Sequence, residues 1–303
     1  MKSKLQNLKY QIPNTNHGIT LVALIITIIV LLILAMVSIR LVMNGENLDQ
    51  SSVKVENGTV TAKINGTTYE YNTATGTAGE KKPGIGDLVT KDNYGDYIDL
   101  GQNVVGTSAT TDDWRILYND KNGHVYAILA DYLPNTNAAV TASGLNVVSG
   151  KTYNVNSTTG RDDLLSKLNS TTAWQSLIPE GLRSTCQVKG ATTAEILMAS
   201  YNEKYGTSLN YTSFPYLRTN PNDSSSSIDT LYMPHPGSNY NGCYGYWLAS
   251  PLAGSTGYVW LVRCDGNVYS SIYNDAIYGV CPVVSLPSDI QVTRNGTVWT
   301  VVQ

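Results

Sequence analysis

Residues 19–39 form an unbroken stretch of 21 uncharged side chains in which only Thr20, Thr27 and Ser38 are polar. A helix of that length rises about 1.5 Å per residue and matches the hydrocarbon core of a bilayer. Lys2, Lys4, Lys9 and His17 precede the run, whereas Arg40 is soon followed by Glu46 and Asp49. The positive-inside bias then places the first residues in the cytoplasm and the bulk of the chain outside. The run is longer than the apolar core of about 7–15 residues in a cleaved secretory signal, and no clear A-x-A site follows it. The plain expectation is a membrane anchor, residues 19–39, carrying an extracellular body.

The leader adds to this. A short basic segment ends at Gly18, and the apolar run opens Ile19, Thr20, Leu21. This resembles a type IV prepilin signal. The resemblance implies that a prepilin peptidase cuts between Gly18 and Ile19 and that pilus subunits are partners. The family usually carries glutamate as the fifth residue of the mature chain, and here that position is Ala23. Alanine cannot pair with a neighbouring subunit's terminal amine, which argues against fibre entry by the usual route.

Composition narrows the rest. With 303 residues and 42% hydrophobic content the chain can bury a substantial core. A net charge of −3 without a basic block beyond the N-terminus gives no footprint for nucleic acid. There are 21 tyrosines against one phenylalanine, Phe214, so nearly every aromatic side chain outside the five tryptophans carries a hydroxyl able to face water. Tyrosine suits binding surfaces because it offers area at low entropic cost. Cys186, Cys243, Cys264 and Cys281 have neither C-x-x-C spacing nor a histidine cluster, so no zinc site is expected. Export would permit one or two disulfides, Cys264 with Cys281 among them. No calcium loop, other metal motif or cofactor motif is present, and the G-x-G at Gly84 and Gly86 lacks the context of a phosphate loop.

Along the chain, the expected order is a basic leader (1–18), a transmembrane or pilin-core helix (19–43), a β-hairpin with a flexible linker (44–83) and a head (84–303). The hairpin turns at Asn65 and Gly66, and residues 72–84 read as a flexible joint. In the head, "DWRILYND" and "GHVYAILADYL" flank a turn at residues 119–123, with Trp114, Ile116, Val125 and Ala127 as core positions. Two amphipathic helices follow. One presents Leu164, Leu165 and Leu168; the other has Thr192 and Glu195 at capping-box spacing and Gly206 as terminator. Hairpins, then helices, then β-rich sequence predict an α+β fold.

The last third is the most patterned. Seven of the 21 tyrosines fall between Tyr240 and Tyr278. Period-2 alternation puts Trp260 and Val262 on one face and Leu261 and Arg263 on the other; after a turn at Asp265 and Gly266, Val268, Ser270 and Ile272 alternate with Tyr269, Ser271 and Tyr273. Trp247, Trp260 and Val283 are expected in the core. Tyr258, Leu261, Arg263, Tyr269, Ser271, Tyr273, Asn274, Asp275 and Tyr278 are expected to form an exposed ligand-binding row.

"YWLASP", W-x-V-x-x-D-G-x-V and "GVCPVVSL" resemble the C-terminal half of C-type-lectin-like domains related to formylglycine-generating proteins, with residues 84–288 covered. The fixed framework with interspersed Tyr, Ser, Asn and Asp further resembles the variable segment (240–286) of proteins diversified by diversity-generating retroelements. That resemblance implies a C-type-lectin-like head whose exposed row meets a protein or glycan ligand. Cys281 stands where the family more often has arginine, so any salt bridge of that arginine is missing. Catalysis is not expected, because the enzymes of this superfamily use a close cysteine pair, whereas Cys264 and Cys281 are 17 residues apart. No G-x-S-x-G or H-E-x-x-H is present, and His124 and His235 read as surface residues. The alternative without a dedicated ligand is a structural pilin or pseudopilin subunit, whose clustered tyrosines would pack against neighbours.

Overall fold

The computed structural model describes residues 54–56, 59–64, 67–72, 77–80, 82–104, 113–237 and 239–302. The chain divides into two compact units, Met1–Lys82 and Pro83–Gln303. In the first, β1 (Lys54–Glu56), β2 (Thr59–Ile64), β3 (Thr67–Asn72) and β4 (Thr77–Glu80) form an antiparallel sheet in sequential order. Ile64 pairs with Thr67, so β2 and β3 are antiparallel neighbours, and the expected turn residues Asn65 and Gly66 lie outside the described residues. The joint expected at residues 72–84 is corrected in part. Thr77–Glu80 is a strand, because Tyr71 and Asn72 of β3 offer it a paired edge that composition alone does not reveal.

The second unit is dominated by a seven-stranded sheet. Its strands are β5 (Tyr97–Asp99), β6 (Trp114–Asn119), β7 (His124–Leu129), β10 (Gln187–Lys189), β14 (Val283–Pro287), β15 (Val292–Asn295) and β16 (Val298–Val301), in the order β10-β14-β7-β6-β5-β16-β15. All pairings are antiparallel except β16 with β5. A three-stranded antiparallel sheet holds β11 (Gly245–Pro251), β12 (Tyr258–Arg263) and β13 (Val268–Ile272), and a short pair joins β8 (Asn146–Val147) to β9 (Val155–Asn156). The helices are short: α1 (Ile85–Leu88), α2 (Ala138–Ser143), α3 (Arg161–Asn169), α4 (Thr171–Trp174) and α5 (Ala194–Tyr205). Helix α5 is capped by the Thr193 side chain, which accepts from the Ile196 amide, one residue beyond the expected Thr192. It ends at Gly206 in the left-handed conformation, φ +64°.

The expected fold class is therefore corrected. The fold is not α+β but mostly β-sheet: the leucine-spaced segments do form helices, yet the longest, α5, has only 12 residues. Among the described residues no helix is long and apolar enough to cross a membrane. The apolar run 19–39, the cleavage site Gly18 and Ile19, and Ala23 lie outside the described residues.

The core of the second unit is built on Trp114, Trp174, Trp247 and Trp260, all essentially inaccessible. Trp114, Ile116, Val125 and Ala127 are buried, as the alternation of the β6–β7 hairpin requires. Tyrosine takes on much of the work of phenylalanine here, contrary to the expectation that the phenols mainly serve a surface. Tyr132, Tyr201, Tyr232 and Tyr246 are fully buried. Their hydroxyls find partners: Tyr246 donates to the Tyr232 carbonyl at 2.6 Å, Tyr201 to the Arg218 carbonyl at 2.7 Å, and Tyr232 lies 2.9 Å from Ser200 Oγ. A buried phenol with a partner keeps the apolar area and avoids the cost of an unpaired hydroxyl.

Candidate ligand-binding face

The register of the three-stranded sheet sets which side chains share a face. Trp247 pairs with Leu261 and Leu261 with Tyr269, so these three stand in one cross-strand row. Along it burial falls away: Trp247 and Leu261 are inaccessible, while Tyr269 is 41% exposed. The cause is the loop after β13. Tyr278 sits edge-on to Trp247, with ring centroids 5.0 Å apart, and closes that end of the row. Helix α3 packs against β11 and β12 as well. Leu261 and Tyr278, expected on the exposed row, are therefore core residues, Tyr278 at 5% exposure.

The same loop is held by the β8–β9 pair. Asn154 donates to the carbonyls of Gly242 and Ala276, at 3.0 and 2.8 Å, and Asn156 to that of Asn274 at 2.8 Å. The Val155 amide donates to Tyr278, the Ser157 amide to Tyr273, and Trp247 Nε1 to the Val155 carbonyl. Buried amide side chains spend their donors on backbone carbonyls and so fix a segment without regular structure.

What remains accessible stands on this frame. Arg263 lies with its guanidinium carbon 5.4 Å from the Tyr269 ring centroid, and 3.6 Å from Asp265. Ser271 donates to Asp275 at 2.8 Å. Ser271, Tyr273 and Asp275 are half-buried, and Asn274 is exposed. Tyr258 is 44% exposed, but register pairs it with Ile272 and alternates it with Trp260, placing it on the opposite face from Tyr269. The expected single row is thus two groups: Arg263, Tyr269, Ser271 and Asp275 on one side, and Tyr258 on the other, with Tyr273 and Asn274 in the connecting loop. Burial first, and then the nearby Asp275 charge, push the Tyr278 phenol up to about 12, so it is a neutral donor and acceptor at neutral pH.

Sequence reasoning missed three contributors. Ile272, expected in the framework, is 41% exposed beside Tyr258. Phe214 and Tyr216 are exposed on a segment that runs along β13: Val268 donates to the Pro215 carbonyl and Leu217 to that of Gly266. Phe214 touches both Trp260 and Tyr269, at 5.3 and 5.5 Å between centroids. Only its status as the sole phenylalanine marked it out.

Comparison with known proteins finds no matching family model, no matching curated protein and no matching solved structure. The reading of the face rests on its own chemistry.

Cys186, Cys243, Cys264 and Cys281 are buried free thiols, with no disulfide between Cys264 and Cys281, and burial raises the pKa of each. A thiol so placed is a poor nucleophile. Among the described residues no three His, Cys, Asp or Glu side chains are gathered to hold a metal. His235, expected to be an ordinary surface residue, lies 2.6 Å from Asp131 and stacks on Tyr240 with centroids 3.5 Å apart. His124, more exposed, sits by the β6–β7 turn, 3.6 Å from Asp120.

Proposed function

We propose that this chain is a bacterial cell-surface ligand-binding protein, adhesin-like or receptor-like and without catalytic activity, whose contact surface is built on β12, β13 and the loop that follows. The observation that carries the reading is the division of labour in residues 240–286. Trp247, Trp260, Leu261 and Val262 are inaccessible, and the loop backbone is tied to Asn154 and Asn156. On one side of that frame Arg263, Tyr269 and Asn274 are exposed or partly so, and on the other Tyr258 and Ile272 are exposed. Aromatic and arginine side chains on a rigid support are what binding hot spots are made of. The arrangement lets outward residues change without disturbing the core, which is the economy of a retroelement-diversified variable segment. In this proposal the run 19–39 holds the chain at the membrane after prepilin peptidase cleavage between Gly18 and Ile19.

The test is variation among close strains. Positions 258, 263, 269, 271 and 273–275 are expected to differ, with Trp247, Trp260 and Pro282 fixed. A near-copy of the coding region for residues 240–286, mismatched mainly at adenines and close to a reverse transcriptase gene, is expected beside the locus. Uniform drift across the domain would sink the proposal.

A further inference from the structure

A second surface lies beyond the β12–β13 turn and shares with the ligand face only the Tyr216 ring. The segment 218–230 folds back on itself, with Arg218 bridged to Ile228, and with residues 236 and 237 it encloses an open cleft of about 600 Å³. Small-molecule sites span about 300–1,000 Å³. The wall presents four hydroxyl side chains, Thr219, Ser226, Ser227 and Thr230, together with Arg218.

Charge decides what such a cleft can hold. Arg218 donates to the Ser226 carbonyl at 2.8 Å, and its guanidinium lies 5.2 Å from the centroid of the exposed Tyr216 ring. Arg115 of β6 reaches the rim at Thr230 Oγ1, 3.5 Å away. Among the described residues neither guanidinium lies within ion-pair distance of a carboxylate. The one acid in the wall, Asp229, is engaged: Lys204 and Tyr205 donate to it at 2.7 and 2.6 Å, and the Leu231 amide at 2.9 Å. Burial alone would push this carboxyl up, and those bonds outweigh it and hold it below the ordinary range. Asp229 is thus matched by Lys204; Arg218 feels the Asp223 charge only from beyond ion-pair distance, and Arg115 donates to the Gly95 carbonyl at 3.1 Å.

The inner backbone of this segment is paired. The Thr219 amide donates to Ser227, the Asp229 amide to Leu217 and the Asn220 amide to Ser226 Oγ, and the far side of residues 215–217 is taken by Gly266 and Val268. What the walls do offer is hydroxyls, planar guanidinium donors and an aromatic ring at the rim, which together suit sugar hydroxyls, a carboxylate and the apolar face of a pyranose ring.

We propose that this cleft binds an acidic saccharide, a uronic-acid-type sugar whose carboxylate is held by Arg218 and Arg115 and whose hydroxyls meet Thr219, Ser227 and Thr230. The site shares only Tyr216 with the ligand face and does not depend on that reading.

The test is calorimetric titration of the purified full chain with a galacturonic acid trimer and with the same trimer reduced at its carboxyl groups. The acidic trimer is expected to bind and the neutral one to bind at least about tenfold more weakly, the scale of one charge-assisted contact. Arg218→Gln is expected to weaken the acidic trimer by about the same factor, whereas Tyr269→Ser leaves it unchanged. If Arg218→Gln does not fold, Arg115→Gln, which leaves the Ser226 contact intact, is expected to weaken binding in the same direction. No binding, equal binding of the neutral trimer, or unchanged affinity in the folded arginine variant would overturn the proposal.

Discussion

Asn156 donates its side-chain amide to the carbonyl of Asn274, 2.8 Å away and 118 residues further along the chain. With Asn154, which donates to Ala276 and Gly242, it makes strand β9 the anchor of the loop that carries much of the candidate ligand surface. Replacing Asn154 with Ala strands two partly buried carbonyls, each costing at most about 1–3 kcal/mol. The expected outcome is a lower denaturant midpoint and faster amide exchange in residues 274–278. Unchanged exchange there would show that the loop is held by other means.

Frame and surface are expected to respond differently to truncation. Trp260 is packed beneath Tyr211 and Phe214, and Trp260→Ala should cost about 3–5 kcal/mol. Tyr269 is exposed, and Tyr269→Ser should stay within roughly 0.5 kcal/mol of the parent. Urea unfolding of the two variants distinguishes them, and comparable losses would contradict the separation.

Gly245 stands at φ +145°, and a Cβ there would lie 2.0 Å from the Val262 carbonyl oxygen. Gly245→Ala must push β11 away from β12 at the position where Gly245 pairs with Arg263. Loss of several kcal/mol, or failure to fold, is expected, with circular dichroism as the readout; a fully stable variant would mean the pairing can shift.

Alkaline pH is expected to destabilise the protein well before the side chains of the folded state titrate. Burial pushes Cys243, Tyr153 and Tyr278 up to about 12. In the unfolded chain a thiol ionises near about 8.5 and a phenol near about 10. Above those values the folded state binds more protons than the unfolded one, so stability is complete below about pH 8.5 and declines as pH rises toward 12. The urea midpoint should fall over that window, and tyrosinate absorbance should rise in step with unfolding. Ionisation of every phenol near pH 10 with the fold intact would contradict it.

The same burial shields the thiols. All four cysteines are buried and unpaired, so a thiol-reactive chromophore should label them slowly in the native protein and at four per chain once it is unfolded. Rapid native labelling, or fewer than four equivalents after unfolding, would overturn this.

Features set by neighbours in sequence were legible in advance. The β6–β7 hairpin follows from alternation around a polar turn, and the end of α5 follows from Gly206, whose left-handed conformation glycine adopts at low cost. Features set from a distance were not. Alternation says that Leu261 and Trp260 point opposite ways, but it cannot say that both sides of β12 are covered; Leu261 is buried because its row runs under the loop of Tyr278, fixed in turn by β9. Likewise β4 is a strand because β3 offers it an edge. The balance of helix and sheet was misjudged for a related reason. Strands such as β15 and β16 gain their identity from each other and from β5.

The placement of β5 has a mechanical consequence. It is the first strand of the second unit, yet it lies inside the sheet, with β6 on one side and the last strand, β16, running parallel on the other. Tension applied along β5 would load both of its seams lengthwise. The hydrogen bonds on each side would then have to yield together rather than one after another. A strand threaded in this way resists traction by sharing the load across its sheet.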